Sequence, residues 1–221
     1  MKGNVFITSD THLGHNRLLT YCPRRAELVN EWGALNGIHD LTDIDLHDKW
    51  IVDRWNEKVE KGDTIYILGD FSFRPKNETR EILQQLRGNK ILIRGNHDEP
   101  LNGLEDCFSW VGALKEIKIK GNVFPGISES FNCMLCHYPL LTWRRRASGG
   151  LMLHGHCHGG IDGYNEKVGE LRFDVGIDGR LADGSILSIQ DVYDAAKGRA
   201  GGMSFSEYMK GRIQSGETFN C

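Results

Sequence analysis

The 221-residue sequence has no long apolar run, and no stretch approaches the roughly 18 residues that a membrane-spanning helix needs. The first residues, MKGNVFITSDTH, become polar after a few apolar positions, which is too short for the hydrophobic region of a signal peptide. We therefore predict no membrane partner and a cytoplasmic location. Internal repeats and low-complexity segments are also lacking, so the sequence predicts a single domain over residues 1–221.

An excess of charge of one sign is lacking too. Lysine and arginine number 27 against 30 aspartates and glutamates, which gives a formal net charge of -3. Such a balance produces no global field that would draw the chain onto nucleic acid or an anionic membrane. Nucleic acid is thus a possible partner that the net charge does not indicate, and any recognition of phosphate has to depend on local groups.

Short apolar segments alternate with segments of helical periodicity. Strands are predicted at 5–8, 64–68, 90–94, 114–119, 133–137, 151–154 and 171–175, and helices at 46–59, 77–86 and 190–197. The glycine-rich tail 198–221 is predicted to hold a short helix at 205–210 and is given no role. This order of elements predicts an α/β fold in which two packed sheets form a β-sandwich flanked by helices.

Polar motifs follow several of the predicted strands. In chain order they are Asp10-x-His12, Gly69-Asp70, Gly95-Asn96-His97-Asp98, His137 and Gly155-His156-Cys157-His158. Carboxylate, imidazole and amide oxygen together suit borderline divalent metals, and the ends of strands are where α/β folds place their ligand sites. Asp10-x-His12 and Asp70 are weak signals alone, because a turn aspartate or a capping histidine is the commoner explanation. The motif Gly95-Asn96-His97-Asp98 is a stronger signal, because such a sequence is uncommon by chance.

In this order the motifs resemble those of the calcineurin-like metallophosphoesterases, whose layered fold carries two metal ions. The resemblance implies one metal held by Asp10, His12, the bridging Asp70 and His158, and a second held by Asp70, Asn96, His137 and His156. It also implies that His97 lies beside the scissile phosphate as a catalytic group. We further predict that Asp98 orients His97.

The predicted function is that of a metal-dependent phosphoesterase in which a hydroxide held between two cations attacks phosphorus. A phosphodiesterase acting on a small or nucleotide-like ester is favoured. A phosphomonoesterase and a non-catalytic metal-binding scaffold of the same fold remain alternatives. Oxygen and nitrogen ligands favour Mn²⁺, with Fe, Zn, Ni or Co also possible. The sequence Phe71-Ser72-Phe73 after the second motif weakens any likeness to the protein Ser/Thr phosphatases.

Two further features of the sequence allow other interpretations. The segment Cys133-Met134-Leu135-Cys136-His137 matches the pattern for covalent haem attachment. Its cysteines, together with His156, Cys157 and His158, could instead form a structural zinc site. The predicted buried strand and the absence of an export signal favour reduced thiols at all six cysteines, Cys221 included. Arg144 and Arg145, which follow Trp143, are predicted to contact the substrate phosphate, although a solvated basic loop is an equally good interpretation.

Overall fold

The computed structural model describes residues 3–218. Its strands are β1 (Val5–Thr8), β2 (Thr64–Ile67), β3 (Asn89–Ile93), β4 (Trp110–Gly112), β5 (Leu114–Ile119), β6 (Phe131–Cys136), β7 (Leu151–His154), β8 (Arg172–Asp174) and β9 (Leu187–Ser188). Its α-helices are α1 (Leu18–Tyr21), α2 (Pro23–Leu35), α3 (Asp43–Lys58), α4 (Lys76–Gln85), α5 (Asp162–Lys167), α6 (Ile189–Arg199) and α7 (Phe205–Gln214). No helix within residues 3–218 is both long enough and apolar enough to cross a membrane.

The strands form two sheets that bring their carboxyl ends to one edge of the molecule. The first sheet has the order β4-β3-β2-β1-β9 and the second has the order β5-β6-β7-β8. Strands β1 to β4 are parallel, and so are β6 to β8. A parallel bridge between Ser9 and Gly176 links the segments that follow β1 and β8. The polar motifs that follow β1, β2, β3, β6 and β7 consequently gather where the two sheets meet.

Successive side chains along each strand of the first sheet point to opposite faces, so the sheet separates two hydrophobic cores. Ile7 of β1 contributes to a core that also contains Leu135 and Leu153 from the second sheet. Its neighbour Phe6 points the other way, into a core shared with Trp50 and other residues of the flanking helices. The first sheet is therefore covered on both faces, as its apolar strands require.

The fold confirms the predicted α/β class, and the predicted strands all appear with bounds that differ by no more than two residues. The sequence analysis did not predict β4, β9, α1, α2 or α5. The tail is part of the packed structure, because Phe205 and Met209 of α7 lie in the core between the sheets. Residues 219–221, including the thiol predicted at Cys221, lie outside the described residues.

The two cysteines of the haem-like motif lie on opposite faces of β6. Cys133 is buried in the core between the sheets, whereas Cys136 packs with Met134 and Trp143 on the outer face. Two thiols that diverge in this way cannot hold one haem or one zinc ion together. Both are free, as are Cys22, Cys107 and Cys157.

Candidate metal centre

The backbone is left-handed at most of the predicted metal ligands. Among the described residues, eight non-glycine residues have positive φ, and five of them are predicted ligands: Asp10 (56°), His12 (50°), Asp70 (52°), His156 (69°) and His158 (47°). This conformation costs free energy for residues with a side chain and clusters at functional sites. It turns each side chain sharply out of the strand direction and toward the shared edge of the sheets.

Asp10, His12 and His158 bring three potential ligand atoms together. The Nε2 atoms of His12 and His158 lie 3.2 Å apart. Oδ1 of Asp10 is 3.7 Å from Nε2 of His12 and 3.9 Å from Nε2 of His158. Asp10 is fully buried, and these distances leave its carboxylate and the two imidazoles facing a common point.

Asp70 lies between this group and a second group. Its Oδ2 atom is 3.8 Å from Nε2 of His12 and 3.5 Å from Nε2 of His137. Nε2 of His137 is in turn 2.9 Å from Oδ1 of Asn96. One carboxylate oxygen thus faces an imidazole from each group, which is the position that a bridging ligand between two ions requires.

Two of the three histidines contributed by the second sheet, His137 and His158, are held by hydrogen bonds at their other ring nitrogens. Nδ1 of His137 donates to the carbonyl oxygen of Leu68 at 2.7 Å, and Nδ1 of His158 donates to Oδ2 of Asp178 at 2.5 Å. Such bonds fix the tautomer, so that the Nε2 lone pair faces the centre. Buried Arg25 holds Asp178 in place with bonds of 2.8 Å and 2.5 Å.

Charges around the centre shift the pKa values of its groups. Burial opposes protonation of His158, but the hydrogen bonds with Asp178 and Cys22 and the charge of Asp10 outweigh it and raise the pKa of His158 to about 10. Burial also opposes ionisation of Asp10, yet the hydrogen bond with His12 and the neighbouring imidazoles lower the pKa of this carboxyl group. In metal-free protein His158 is therefore protonated, and a cation bound at the centre would have to displace that proton from Nε2.

Two glycines permit the close approach of these segments. A Cβ atom at Gly155 would lie 2.0 Å from Oγ of Ser9 and 2.2 Å from Oδ2 of Asp10. A Cβ atom at Gly95 would lie 2.3 Å from Oδ1 of Asp70. Each glycine precedes a predicted ligand and lies against a carboxylate from a neighbouring strand, which gives a physical reason for glycine at those points of the motifs.

The donor set fits divalent cations. With its Nδ1 proton given to Leu68, His137 directs a lone pair at the oxygens of Asn96 and Asp70, so atoms that all accept hydrogen bonds face one another. A cation at their common point would relieve this repulsion, and the oxygen and nitrogen donors suit Mn, Fe, Zn, Ni or Co. Asp10, His12, Asp70 and His158 could hold one ion, and Asp70, Asn96 and His137 a second.

The other predicted residues are placed as follows. The ring of His156 lies 5.1 Å from that of His137, and its backbone N–H donates to Asp10. His97 is exposed, with its ring 6.1 Å from that of His12, and its N–H donates to Oδ1 of Asp70 at 2.9 Å. His156 and His97 thus both border the centre.

Asp98 is placed differently from what we expected. Its carboxylate accepts hydrogen bonds from the backbone N–H groups of Asp70, Phe71 and Gly95, and among the described residues none of its hydrogen bonds goes to the His97 ring. Asp98 therefore joins the second motif to the third by holding their backbones together, instead of orienting an imidazole.

Arg144 and Arg145 are engaged away from the centre. Both form ion pairs with Glu116 of β5, at 2.7 Å and 3.1 Å, and their side chains are 68% and 48% exposed. No contact among the described residues joins either arginine to a predicted metal ligand. The solvated-loop interpretation accounts for these contacts without a substrate.

Asp178 and Arg25 are the main residues that sequence reasoning did not place in the site. Asp178 lies just past β8 in Val175-Gly176-Ile177-Asp178, so it shows the signal that revealed the other motifs, a polar side chain following a strand. Arg25 lies in α2, which was not predicted, and its burial next to a carboxylate has no signature in the sequence. Both act on His158 from outside the centre.

Comparisons with known proteins agree with this geometry. Residues 3–179 match the family described as calcineurin-like phosphoesterase. The chain is 27% identical over 212 residues to the gene 66 protein of Mycobacterium phage L5, covering 86% of this chain and 93% of the relative. It is 31% identical over 186 residues to the gene 66 protein of Mycobacterium phage D29, covering 72% and 80%.

Two further similarities extend beyond phages. An uncharacterized protein of Methanocaldococcus jannaschii is 28% identical over 156 residues, covering 70% of this chain and 69% of the relative. The crystal structure of a protein of unknown function from Aquifex aeolicus superposes with a TM-score of 0.57 at 20% identity, covering 87% of this chain and 99% of that chain, which is a likeness of fold. With four-fifths of its length matched to the family and the ordered motifs gathered at one edge, this chain belongs to the calcineurin-like phosphoesterases.

Proposed function

We propose that the protein is a metal-dependent phosphodiesterase that hydrolyses a small or nucleotide-like ester at a dinuclear centre, with Mn²⁺ as the favoured metal. The observation that carries the proposal is the position of Asp70 Oδ2, 3.8 Å from Nε2 of His12 and 3.5 Å from Nε2 of His137. A carboxylate between two sets of ligand atoms supports two cations, which would supply a hydroxide nucleophile and neutralise the phosphate oxygens.

The residues of the chain then have separate tasks. Asp10, His12 and His158 hold one position, Asn96, His137 and His156 hold the other, and Asp70 joins them. Leu68 and Asp178 fix the ring orientations of two of these histidines through their Nδ1 atoms. Because these supports are buried, the centre is formed before substrate arrives and loses little free energy to reorganisation.

His97 is proposed to donate a proton to the departing oxygen. It is exposed and lies beside His12, while its N–H bond to Asp70 fixes the loop that carries it. Positioned acids contribute about 100- to 10,000-fold to rate. We expect His97→Asn to lower kcat within that range for an alkyl ester and much less for a p-nitrophenyl ester, whose leaving group needs no proton. An equal effect on both esters would contradict the role.

The preference for diesters is supported by the scarcity of cationic side chains at the centre. A monoester brings a second negative charge, yet Arg144 and Arg145 pair with Glu116, and Arg25 is buried against Asp178. These contacts leave none of the three arginines to bind the extra charge. A diester, with its single charge, needs no such partner.

The function is tested by adding Mn²⁺ to EDTA-treated protein and comparing hydrolysis of bis(p-nitrophenyl) phosphate with that of p-nitrophenyl phosphate. We expect metal-stimulated hydrolysis, faster for the diester, and its loss in Asp70→Asn. Asp194→Asn, at an exposed position on α6, is the matched control and should keep full activity. Faster monoester hydrolysis would favour the phosphomonoesterase alternative, and Mn²⁺ binding in calorimetry without turnover of either ester would identify a scaffold.

A further inference from the structure

A cavity adjoins the candidate metal centre on the side of α1. Its volume is about 330 Å³, and it is lined by His12, His15, Leu18, Tyr21, Cys22 and His158. Two of these residues, His12 and His158, also direct their Nε2 atoms into the centre. A substituent of a phosphate ester could therefore lie in the cavity while the phosphate group itself is bound at the centre.

Aromatic rings form one continuous wall beside this cavity. The rings of His15 and Tyr21 have centroids 6.4 Å apart, and the ring of Phe73 lies 4.8 Å from that of His15. Phe73 also lies 5.5 Å from His12 and 5.2 Å from His97. The wall thus runs from the proposed acid, past a proposed ligand, to the mouth of the cavity.

Tyr21 is an exposed member of this wall. Its relative exposure is 60%, whereas Leu18, one turn earlier on the same face, is 3% exposed and lies at the base. The guanidinium carbon of Arg17 lies 5.3 Å from the centre of the Tyr21 ring. An exposed aromatic ring next to an enclosed apolar base offers a stacking surface that water covers poorly.

We propose, resting on the proposed function, that this cavity is a subsite for a planar aromatic substituent of the phosphate ester, such as a nucleobase or an aryl group, which stacks against Tyr21. The volume is at the low end of the roughly 300–1,000 Å³ typical of ligand sites, so it suits one ring system and not a polymer. Ring faces and the apolar base of Leu18 recognise flat, uncharged groups, while the centre binds the phosphate.

The test uses three phosphonates that cannot be hydrolysed: phenylphosphonate, cyclohexylphosphonate and methylphosphonate. Their inhibition constants are measured against bis(p-nitrophenyl) phosphate hydrolysis with Mn²⁺. We expect the phenyl compound to bind about 5- to 150-fold more tightly than the methyl compound, the range that corresponds to about 1–3 kcal/mol per stacked ring. The cyclohexyl compound should bind more weakly than the phenyl compound, because it is not planar.

Variants assign the preference to one ring. Tyr21→Ala should abolish the preference for phenyl over methyl, and Tyr21→Phe should keep it. Tyr164→Ala is the matched control, because Tyr164 is 55% exposed and has an arginine, Arg172, 5.8 Å from its ring, but lies outside the cavity. A preference that survives in Tyr21→Ala, or equal binding of the phenyl and methyl compounds by the unmodified protein, would overturn the proposal.

Alkylation of Cys22 gives a readout that does not depend on turnover. The Cys22 thiol lines the cavity, 3.7 Å from Nδ1 of His158, whereas Cys107 lies elsewhere and serves as an internal reference. With Mn²⁺ present, phenylphosphonate should slow iodoacetamide modification of Cys22 and leave Cys107 unchanged, as measured by peptide mass spectrometry. Protection at Cys22 without hydrolysis of any ester would support the subsite and refute the proposed function. Hydrolysis without selective protection would refute the subsite alone.

Discussion

The substitution Asp178→Asn tests whether support from outside the centre controls metal binding. The Asp178 carboxylate accepts a bond from His158 and two from Arg25, whose side chain is fully buried while that of Asp178 is 10% exposed. Asparagine keeps the size of the side chain but removes its charge. Arg25 then keeps a buried charge without its counter-ion, and the His158 ring loses its strongest acceptor.

Two magnitudes follow from this geometry. Losing one partner of a buried ion pair costs about 3–5 kcal/mol, and we expect the lower end because the amide oxygen still accepts a bond. In a chain of this size, each kcal/mol lowers the melting temperature by about 2–4 °C, so about 3 kcal/mol predicts a fall of about 6–12 °C. Altering a residue that orients a metal ligand typically lowers metal affinity by about 10- to 100-fold.

The neighbouring ion pair supplies a matched control. Arg24 pairs with Asp183 at 3.0 Å, but both side chains are more than half exposed, at 58% and 57%. Exposed pairs of this kind contribute little to stability, and asparagine tolerates the positive φ of Asp183. Asp183→Asn should therefore leave both the melting temperature and the Mn²⁺ affinity nearly unchanged.

The assay is calorimetric titration of Mn²⁺ into EDTA-stripped protein, combined with thermal unfolding of the same samples. If Asp178→Asn and Asp183→Asn behaved alike, burial would not be the deciding factor and our account of the Arg25–Asp178–His158 chain would be refuted.

Three further predictions concern metal binding and stability. Gly155→Ala should abolish Mn²⁺ binding, because the added Cβ atom would lie 2.0 Å from Oγ of Ser9 and 2.2 Å from Oδ2 of Asp10. The control Gly198→Ala on α6 adds a Cβ atom that meets open space, and it should stabilise the protein by up to about 1 kcal/mol in thermal unfolding. Mn²⁺ at 100 times its Kd should raise the free energy of unfolding by about 2.7 kcal/mol in denaturant titrations, and an equal gain with a competing chelator present would contradict specific binding. Burial raises the pKa of Asp174 to about 7, so the contribution of this carboxyl group to the stability of metal-free protein is complete below about pH 4 and is lost as pH rises to 7. In urea titrations, the free energy of unfolding of Asp174→Asn should therefore change less with pH than that of the unmodified protein.

The parts of the fold that could be predicted from the sequence are those with strong local signals. Strands such as β1 and β7 are short apolar runs that end at a polar motif, and periodicity locates them directly. The order of the motifs then placed their side chains at one edge, because parallel strands direct their carboxyl ends the same way. The approach of Asp10, His12 and His158 follows from that topology.

What the sequence left unpredicted depends on contacts between distant segments. Helix α2 has charged residues on much of its surface, and Arg25 is buried only because Asp178, over 150 positions later, neutralises it. Strand β9 is two residues long and exists through its pairing with β1. Asp98 was assigned to the wrong neighbour because sequence adjacency to His97 says nothing about the backbone N–H groups that surround the folded carboxylate.

The candidate metal centre lies where the two sheets meet, so ions bound there as proposed would link one sheet to the other. The first sheet contributes the proposed ligands Asp10, His12, Asp70 and Asn96, and the second contributes His137, His156 and His158. Neither sheet alone therefore supplies all the proposed ligands of either ion. A fragment that folded only the first sheet would present two carboxylates, one imidazole and one amide oxygen, which leaves each proposed ion without its ligands from the second sheet. We therefore expect the proposed ions to bind late in folding, and we expect their loss to weaken the contact between the two sheets before it destabilises either sheet.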